Sequence, residues 1–217
     1  MLLNREKLIN SIISCGVDPT AEITEMYNTF AEMMIDFNKR INITRITDPD
    51  DIIVKHIEDS LALYRFADIV RGANYLDIGT GGGVPALPLL IARQDIKGVL
   101  IDSVGKKIRF AESVINEFGL SAKTIHIRAE ELGKNDGYKS SFDLITARAV
   151  TKFEILIGYA APLLSPGGMF AAYKGEISEE EYNKGCKAAE KTGLKAPEKT
   201  EYELTNGDKR TLIFVKK

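Results

Sequence analysis

The chain has 217 residues, of which 44% are hydrophobic and 28% charged. That composition excludes disorder and suits a chain that buries a full core without disulfides or metal. The formal net charge of -2 gives no bulk sign of a nucleic-acid partner, and no apolar run is long enough to span a membrane. Cys15 and Cys186 lie far apart with no CxxC spacing, and His56 and His126 are the only histidines. A disulfide framework and a metal cluster are therefore not expected. The N-terminal MLLNREKLIN lacks the pattern of a secretory signal, so a cytoplasmic protein is expected.

Residues 1–70 carry only helical periodicity. Leu2, Leu3, Leu8, Ile9, Ile12 and Ile13 form one stripe, and Ile23, Met26, Tyr27, Phe30, Met33, Met34 and Phe37 form a second over about 20–40. Asp18-Pro19-Thr20 supplies a start for the second helix. Asp48 and Pro49 predict the cap and first turn of a third, with Ile52, Ile53, Ile57, Leu61 and Leu63 on its apolar face.

From Asn74 the pattern changes to short apolar strands alternating with helices. NYLDIG, KGVLIDS, AKTIHIR, FDLITAR and MFAAYK read as strands. Helices are predicted over 84–93, 104–118, 151–164 and 178–191. Pro166-Gly167-Gly168 reads as a turn, and YEL and RTLIFVK as a terminal strand pair. The alternation predicts an α/β fold: a mostly parallel, Rossmann-like sheet with an antiparallel edge. The expected division is a helical extension over 1–70 and an α/β domain over 71–217.

The most informative stretch is Asp77-Ile78-Gly79-Thr80-Gly81-Gly82-Gly83-Val84-Pro85, which follows a strand and opens a helix. A dinucleotide fingerprint requires G-x-G-x-x-G, but position 84 is Val84; a P-loop requires Gly-Lys-Ser/Thr, and none follows. An acidic residue before Gly79, Gly81 and Gly83 resembles the loop of class I methyltransferases, which bind S-adenosylmethionine (AdoMet). Asp77 could attract the ammonium of AdoMet, and loop N–H groups could receive its carboxylate. Asp102 ends the next strand, 19 residues beyond Gly83, and can accept hydrogen bonds from ribose hydroxyls. By the same likeness the third strand end, His126 to Glu130, is where adenine would lie. Taken singly, the loop is a turn and Asp102 a strand-end cap.

An ordered set of motifs extends the likeness along most of the chain. It comprises Phe37 to Thr44, His56-Ile57-Glu58-Asp59-Ser60-Leu61, LDIGTGGGVPALPL, IDSVGKKIRF, RAEEL, TARAV and PLLSPGG…YKG. The chain resembles the RsmG (GidB) family of AdoMet-dependent 16S rRNA methyltransferases. The resemblance implies cofactor contacts at Gly79, Val84, Ala129, Glu130 and Arg148, beside Asp77, Gly81, Gly83 and Asp102. It also implies methyl transfer to N7 of a guanosine, with 16S rRNA or the small ribosomal subunit as partner. Val84 and Ala86 depart from the residues usual in the family's loop.

Arg148 and Lys174 end successive strands and are the candidate catalytic residues. Arg148 could bind phosphate or guanine O6, or else pair with a nearby carboxylate. His56 could approach the base, but from the residue alone a packing role is favoured. Lys106, Lys107 and Arg109, and Lys39, Arg40 and Arg45, could contact RNA backbone or form solvated faces. No metal and no membrane contact are expected, and a monomer is. The rival readings are an AdoMet enzyme acting on a small molecule or protein, and a non-enzymatic nucleotide-binding module.

Overall fold

A computed structural model describes residues 2–217. The strands run Asn74–Ile78 (β1), Lys97–Asp102 (β2), Ala122–His126 (β3), Phe142–Arg148 (β4), Leu164–Lys174 (β5), Glu198–Glu203 (β6) and Lys209–Lys216 (β7). The helices are Arg5–Ser14 (α1), Ala21–Asn38 (α2), Pro49–Ile52 (α3), Asp59–Leu61 (α4), Ala86–Ala92 (α5), Gly105–Phe118 (α6), Ala129–Leu132 (α7), Phe153–Ala160 (α8) and Glu179–Lys191 (α9). The strands form one sheet in the order β3-β2-β1-β4-β5-β7-β6. β7 pairs antiparallel with β5 and β6, and all the other pairings are parallel. The α/β architecture with an antiparallel edge is thus the observed one.

The parallel strands read as near-continuous apolar runs because both sheet faces are covered. On one face Tyr75, Leu100, Leu144, Tyr173, Leu212 and Phe214 share an apolar cluster with Leu8, Ile12, Tyr27, Phe30 and Ile57 from the N-terminal helices. The opposite face packs Leu76, Ile101, Ile145, Phe170 and Ile213 against Phe153, Leu156 and Ile157 of α8. Two hydroxyls tie the N-terminal layer to α5: Tyr27 donates to the Pro88 carbonyl at 2.8 Å and Tyr64 to that of Leu89 at 3.0 Å.

Local signals set the helix starts. Thr20 accepts from the Ile23 N–H, and Asp48 from those of Asp50 and Asp51, with Pro49 in the first turn. The third helix, expected to be continuous, is not. Between α3 and α4 the chain forms a π-helical turn, Ile53–Glu58, and α4 runs into a 3-10 turn, Ala62–Arg65. Pro166-Gly167-Gly168, expected as a turn, lies within β5 at a shift of its register with β4. A Cβ at Gly168 would stand 2.7 Å from the Phe142 carbonyl oxygen, so the backbones approach too closely there for a side chain.

Candidate functional site

The strand order reverses between β1 and β4, and a crevice opens at the carboxyl ends of the strands there. A cleft of about 340 Å³ occupies it. Its walls include Gly79, Asp102, Ala129 and Glu130, so four of the sequence-selected residues meet in one place. Lys107, Arg128, Val150 and Tyr159 also line it. Val150, the last residue of TARAV, was not singled out because Arg148 carried that motif's chemistry, and Tyr159 stands in no motif.

Gly79, Gly81 and Gly83 all adopt positive φ, between +56° and +78°, which is what the glycines are for. The loop spends many of its amides internally. Thr80 donates to the Ile101 carbonyl, and Gly83 and Val84 both donate to that of Thr80. The Gly81 N–H goes to Asp102 Oδ2 at 2.9 Å, and Val104 donates to Asp102 Oδ1 at 2.8 Å. Asp102 therefore locks the glycine loop to β2 and keeps only its remaining lone pairs for a ligand. Gly81, Gly83 and Val84 shape the loop without lining the cleft. Lys107 stands beside it: a Cβ at Gly81 would meet Lys107 Nζ at 3.9 Å.

Asp77 is fully buried behind the loop. Its Oδ1 accepts from the Thr146 hydroxyl at 2.6 Å, and the Tyr75 hydroxyl lies 2.7 Å from Thr146 Oγ1. Among the described residues its Oδ2 has no partner, nor does Thr80 Oγ1, although both are buried. Burial pushes the Asp77 carboxyl up to about 7, against the opposing pull of the Thr146 hydroxyl and the Arg148 charge. A buried acceptor left without a donor costs about 1–3 kcal/mol, so such a site favours a ligand that brings one. The ammonium of AdoMet is such a group, and the residues present fit it. Thr146 was not singled out from sequence, because its contact with Asp77 exists only through the β1–β4 pairing.

Arg148 lies outside the cleft walls and is mostly buried. Its Nη1 donates to the Lys55 carbonyl at 2.8 Å and to Asp59 Oδ2 at 2.9 Å, and its Nη2 to His56 Nδ1 at 3.2 Å. The carboxylate pairing weighed from sequence is present, and its partner is Asp59. A guanidinium only donates, so His56 Nδ1 must be the acceptor and Nε2 carries the proton. Nε2 then donates to Thr44 Oγ1 at 3.1 Å. The Lys55 carbonyl, 3.2 Å from Nδ1, is in contact without a proton between them. Burial, then the Arg148 charge, depress His56 to about 3, so the ring is neutral at physiological pH. Lys174 is also outside the cleft, but its ammonium holds the carbonyl of Thr151, a wall residue, at 2.8 Å and Glu181 at 2.9 Å.

The model of the family GidB, rRNA small subunit methyltransferase G, matches residues 23–212. The chain belongs to this family. It is 36% identical to the ribosomal RNA small subunit methyltransferase G of Desulfitobacterium hafniense, over 93% of this chain and 84% of that one. It is 35% identical to the protein of the same name from Lactobacillus acidophilus, over 99% and 91%. The GidB assignment carries rRNA methyl transfer with AdoMet as donor. In fold, the chain is similar to a SAM-dependent O-methyltransferase from Thermotoga maritima, with a TM-score of 0.58 and 18% identity over 85% of this chain and 71% of that one. It is also similar to TYW2 of Pyrococcus horikoshii in complex with MeSAdo, with a TM-score of 0.55 and 15% identity over 70% and 60%. Among the described residues no helix is long and apolar enough to cross a membrane, and no His, Cys, Asp and Glu cluster has the spacing to hold a metal ion.

Proposed function

We propose that this GidB-family chain methylates N7 of one guanosine in 16S rRNA, acting in the cytoplasm on the rRNA or the small subunit. The observation that carries the cofactor half of this reading is the unpartnered, buried Asp77 Oδ2 at the head of the glycine loop. When bound, AdoMet supplies a methyl on a cationic sulfur, which the in-plane N7 lone pair displaces with no proton to remove. Alignment and charge placement are then the protein's main tasks. That suits the His56 ring, which is neutral and engaged at both nitrogens and so offers no base.

Asp77 takes the ammonium; Lys107 and the loop amides other than those of Thr80, Gly81, Gly83 and Val84, which are committed, take the carboxylate. Asp102 accepts from ribose hydroxyls, and Ala129 and Glu130 border the adenine. Gly79, Gly81, Gly83 and Val84 shape the loop around the donor. Arg148 holds the amino-acid end of the cofactor against the substrate side. Lys174 steadies the Thr151 segment of the wall. The helical layer of residues 1–70 closes the substrate side as an extension packed on one sheet face of the 71–217 domain.

The test is tritium transfer from labelled AdoMet to small subunits, and to free 16S rRNA, from a strain lacking this gene, with reductive strand cleavage at N7-methylguanosine mapping the position. Transfer to one guanosine is expected. Label appearing only in proteins or small metabolites would refute the reading.

A further inference from the structure

The His56-to-Leu61 motif has no assigned task in the reading above, and its geometry supplies one. In an α-helix the Asp59 N–H would take the Lys55 carbonyl. In the π-helical turn it bonds to Val54, five residues back. The Lys55 carbonyl is thereby released from the α pattern and accepts from Arg148 at 2.8 Å. Asp59 Oδ2 and His56 Nδ1, from the same turn, complete a three-acceptor socket for one guanidinium. That leaves two of the five Arg148 N–H donors uncommitted.

Asp59 is itself held. It is 4% exposed, its Oδ1 accepts from the Tyr202 hydroxyl at 2.7 Å, and Arg210 Nε lies 3.7 Å from its Oδ2. From Arg148 the chain of contacts continues through His56 to Thr44 Oγ1, which also accepts from the Ile46 N–H. Asn38 Oδ1 accepts from the N–H groups of Ile43 and Thr44. The Ile43 carbonyl stands over the glycine loop, 3.6 Å from where a Gly82 Cβ would be. A buried ion pair is seldom retained for stability alone, because desolvation offsets most of its Coulomb gain.

We propose that Asp59 is a positioning residue for methyl transfer: it fixes the Arg148 guanidinium at the carboxyl end of β4 and, through His56, orders the Thr44 loop over the glycine loop. This rests on the reading that Arg148 faces the cofactor. Asp59 touches neither donor nor base; it acts through Arg148.

The test compares wild type, Asp59→Asn, Tyr202→Phe, Arg148→Ala and the Asp59→Asn/Arg148→Ala pair. AdoMet Kd is measured by calorimetry, kcat and KM are measured on small subunits, and the His56 ring 15N signals are recorded without cofactor. Asp59→Asn is expected to raise AdoMet Kd and KM about tenfold or more, the scale of one lost hydrogen bond to a charged group. Tyr202→Phe should shift both in the same direction by less, and it carries the test if Asp59→Asn does not fold. The double variant should be no worse than Arg148→Ala, because the two residues act as one unit. The 15N signals should report an Nε2–H ring in wild type and lose that signature in Asp59→Asn. AdoMet Kd within twofold of wild type in both Asp59→Asn and Tyr202→Phe would overturn the proposal, as would additive losses in the double variant. A wild-type protein with the Nε2–H ring that binds no AdoMet would instead overturn the functional reading, and this role with it.

Discussion

Asp77 and His56 titrate in opposite senses over nearly the same pH range, and single substitutions should separate them. The Asp77 carboxyl is raised from 3.8 to about 7 by burial. The folded state thus holds a proton that the unfolded chain has lost, so stability is complete below pH 3.8 and falls as pH rises toward 7. At about 1.4 kcal/mol per pH unit, the loss at pH 8 is about 4 kcal/mol. His56 is lowered from 6.5 to about 3 by burial and by Arg148. There the unfolded chain holds the extra proton, so stability is complete above pH 6.5 and falls as pH drops toward 3. Between pH 4 and 6.5 the two slopes cancel in wild type. Asp77→Asn keeps a carbonyl for the Thr146 hydroxyl but cannot ionise. Its stability relative to wild type should rise by about 1.4 kcal/mol per pH unit from pH 4 to 7. His56→Gln should show the opposite trend, falling relative to wild type from pH 4 to 6.5. The assay is urea unfolding at half-unit pH steps without AdoMet. A difference between Asp77→Asn and wild type that is flat from pH 4 to 7 would refute the buried-carboxyl argument. The same variant should lose AdoMet affinity although it is more stable at pH 8, because the ammonium loses its counter-charge.

Thr146→Val removes the hydroxyl donor from Asp77 Oδ1 and also strips the Tyr75 hydroxyl of its partner. It should cost about 1–3 kcal/mol at pH 8 and move the Asp77-linked slope above pH 7, read in the same urea series. Gly185→Ala should gain about 1 kcal/mol of helix propensity, but its Cβ would lie 2.0 Å from Cδ1 of the buried Phe153, so overpacking decides the sign. A lower thermal midpoint is expected, and a higher one would sink the steric argument. Gly79→Ala places a side chain at φ +68°, 2.6 Å from Val150 Cγ2. Val150 is 39% exposed and can move aside, so backbone strain of about 1–2 kcal/mol should persist in a Gly79→Ala/Val150→Ala pair. Recovery of wild-type stability in that pair would refute it.

Much of the fold was legible because its signals are local. Short apolar runs set against helical periodicity separated strands from helices, and Thr20, Asp48 and Pro49 marked helix starts where the structure has them. The glycine loop was legible for the same reason: three positive-φ positions between a strand and a helix leave little choice of residue. The π-helical turn was not, because its apolar residues look helical by periodicity, and the five-residue bond from Asp59 to Val54 leaves no mark on that spacing.

The sequence by itself determined the strand-loop-helix order, the family motifs and the chemical types available at the strand ends. Only the tertiary structure decided what those groups do. Asp77 meets Thr146, 69 residues away, because β1 and β4 are neighbours in the sheet. Arg148 meets Asp59, 89 residues away, and Asp59 meets Tyr202, 143 residues away, because the N-terminal helices pack on that same sheet face. Burial and partner identity set whether a carboxyl holds a proton or a histidine is neutral, and both arise from packing between distant segments, which no local pattern encodes.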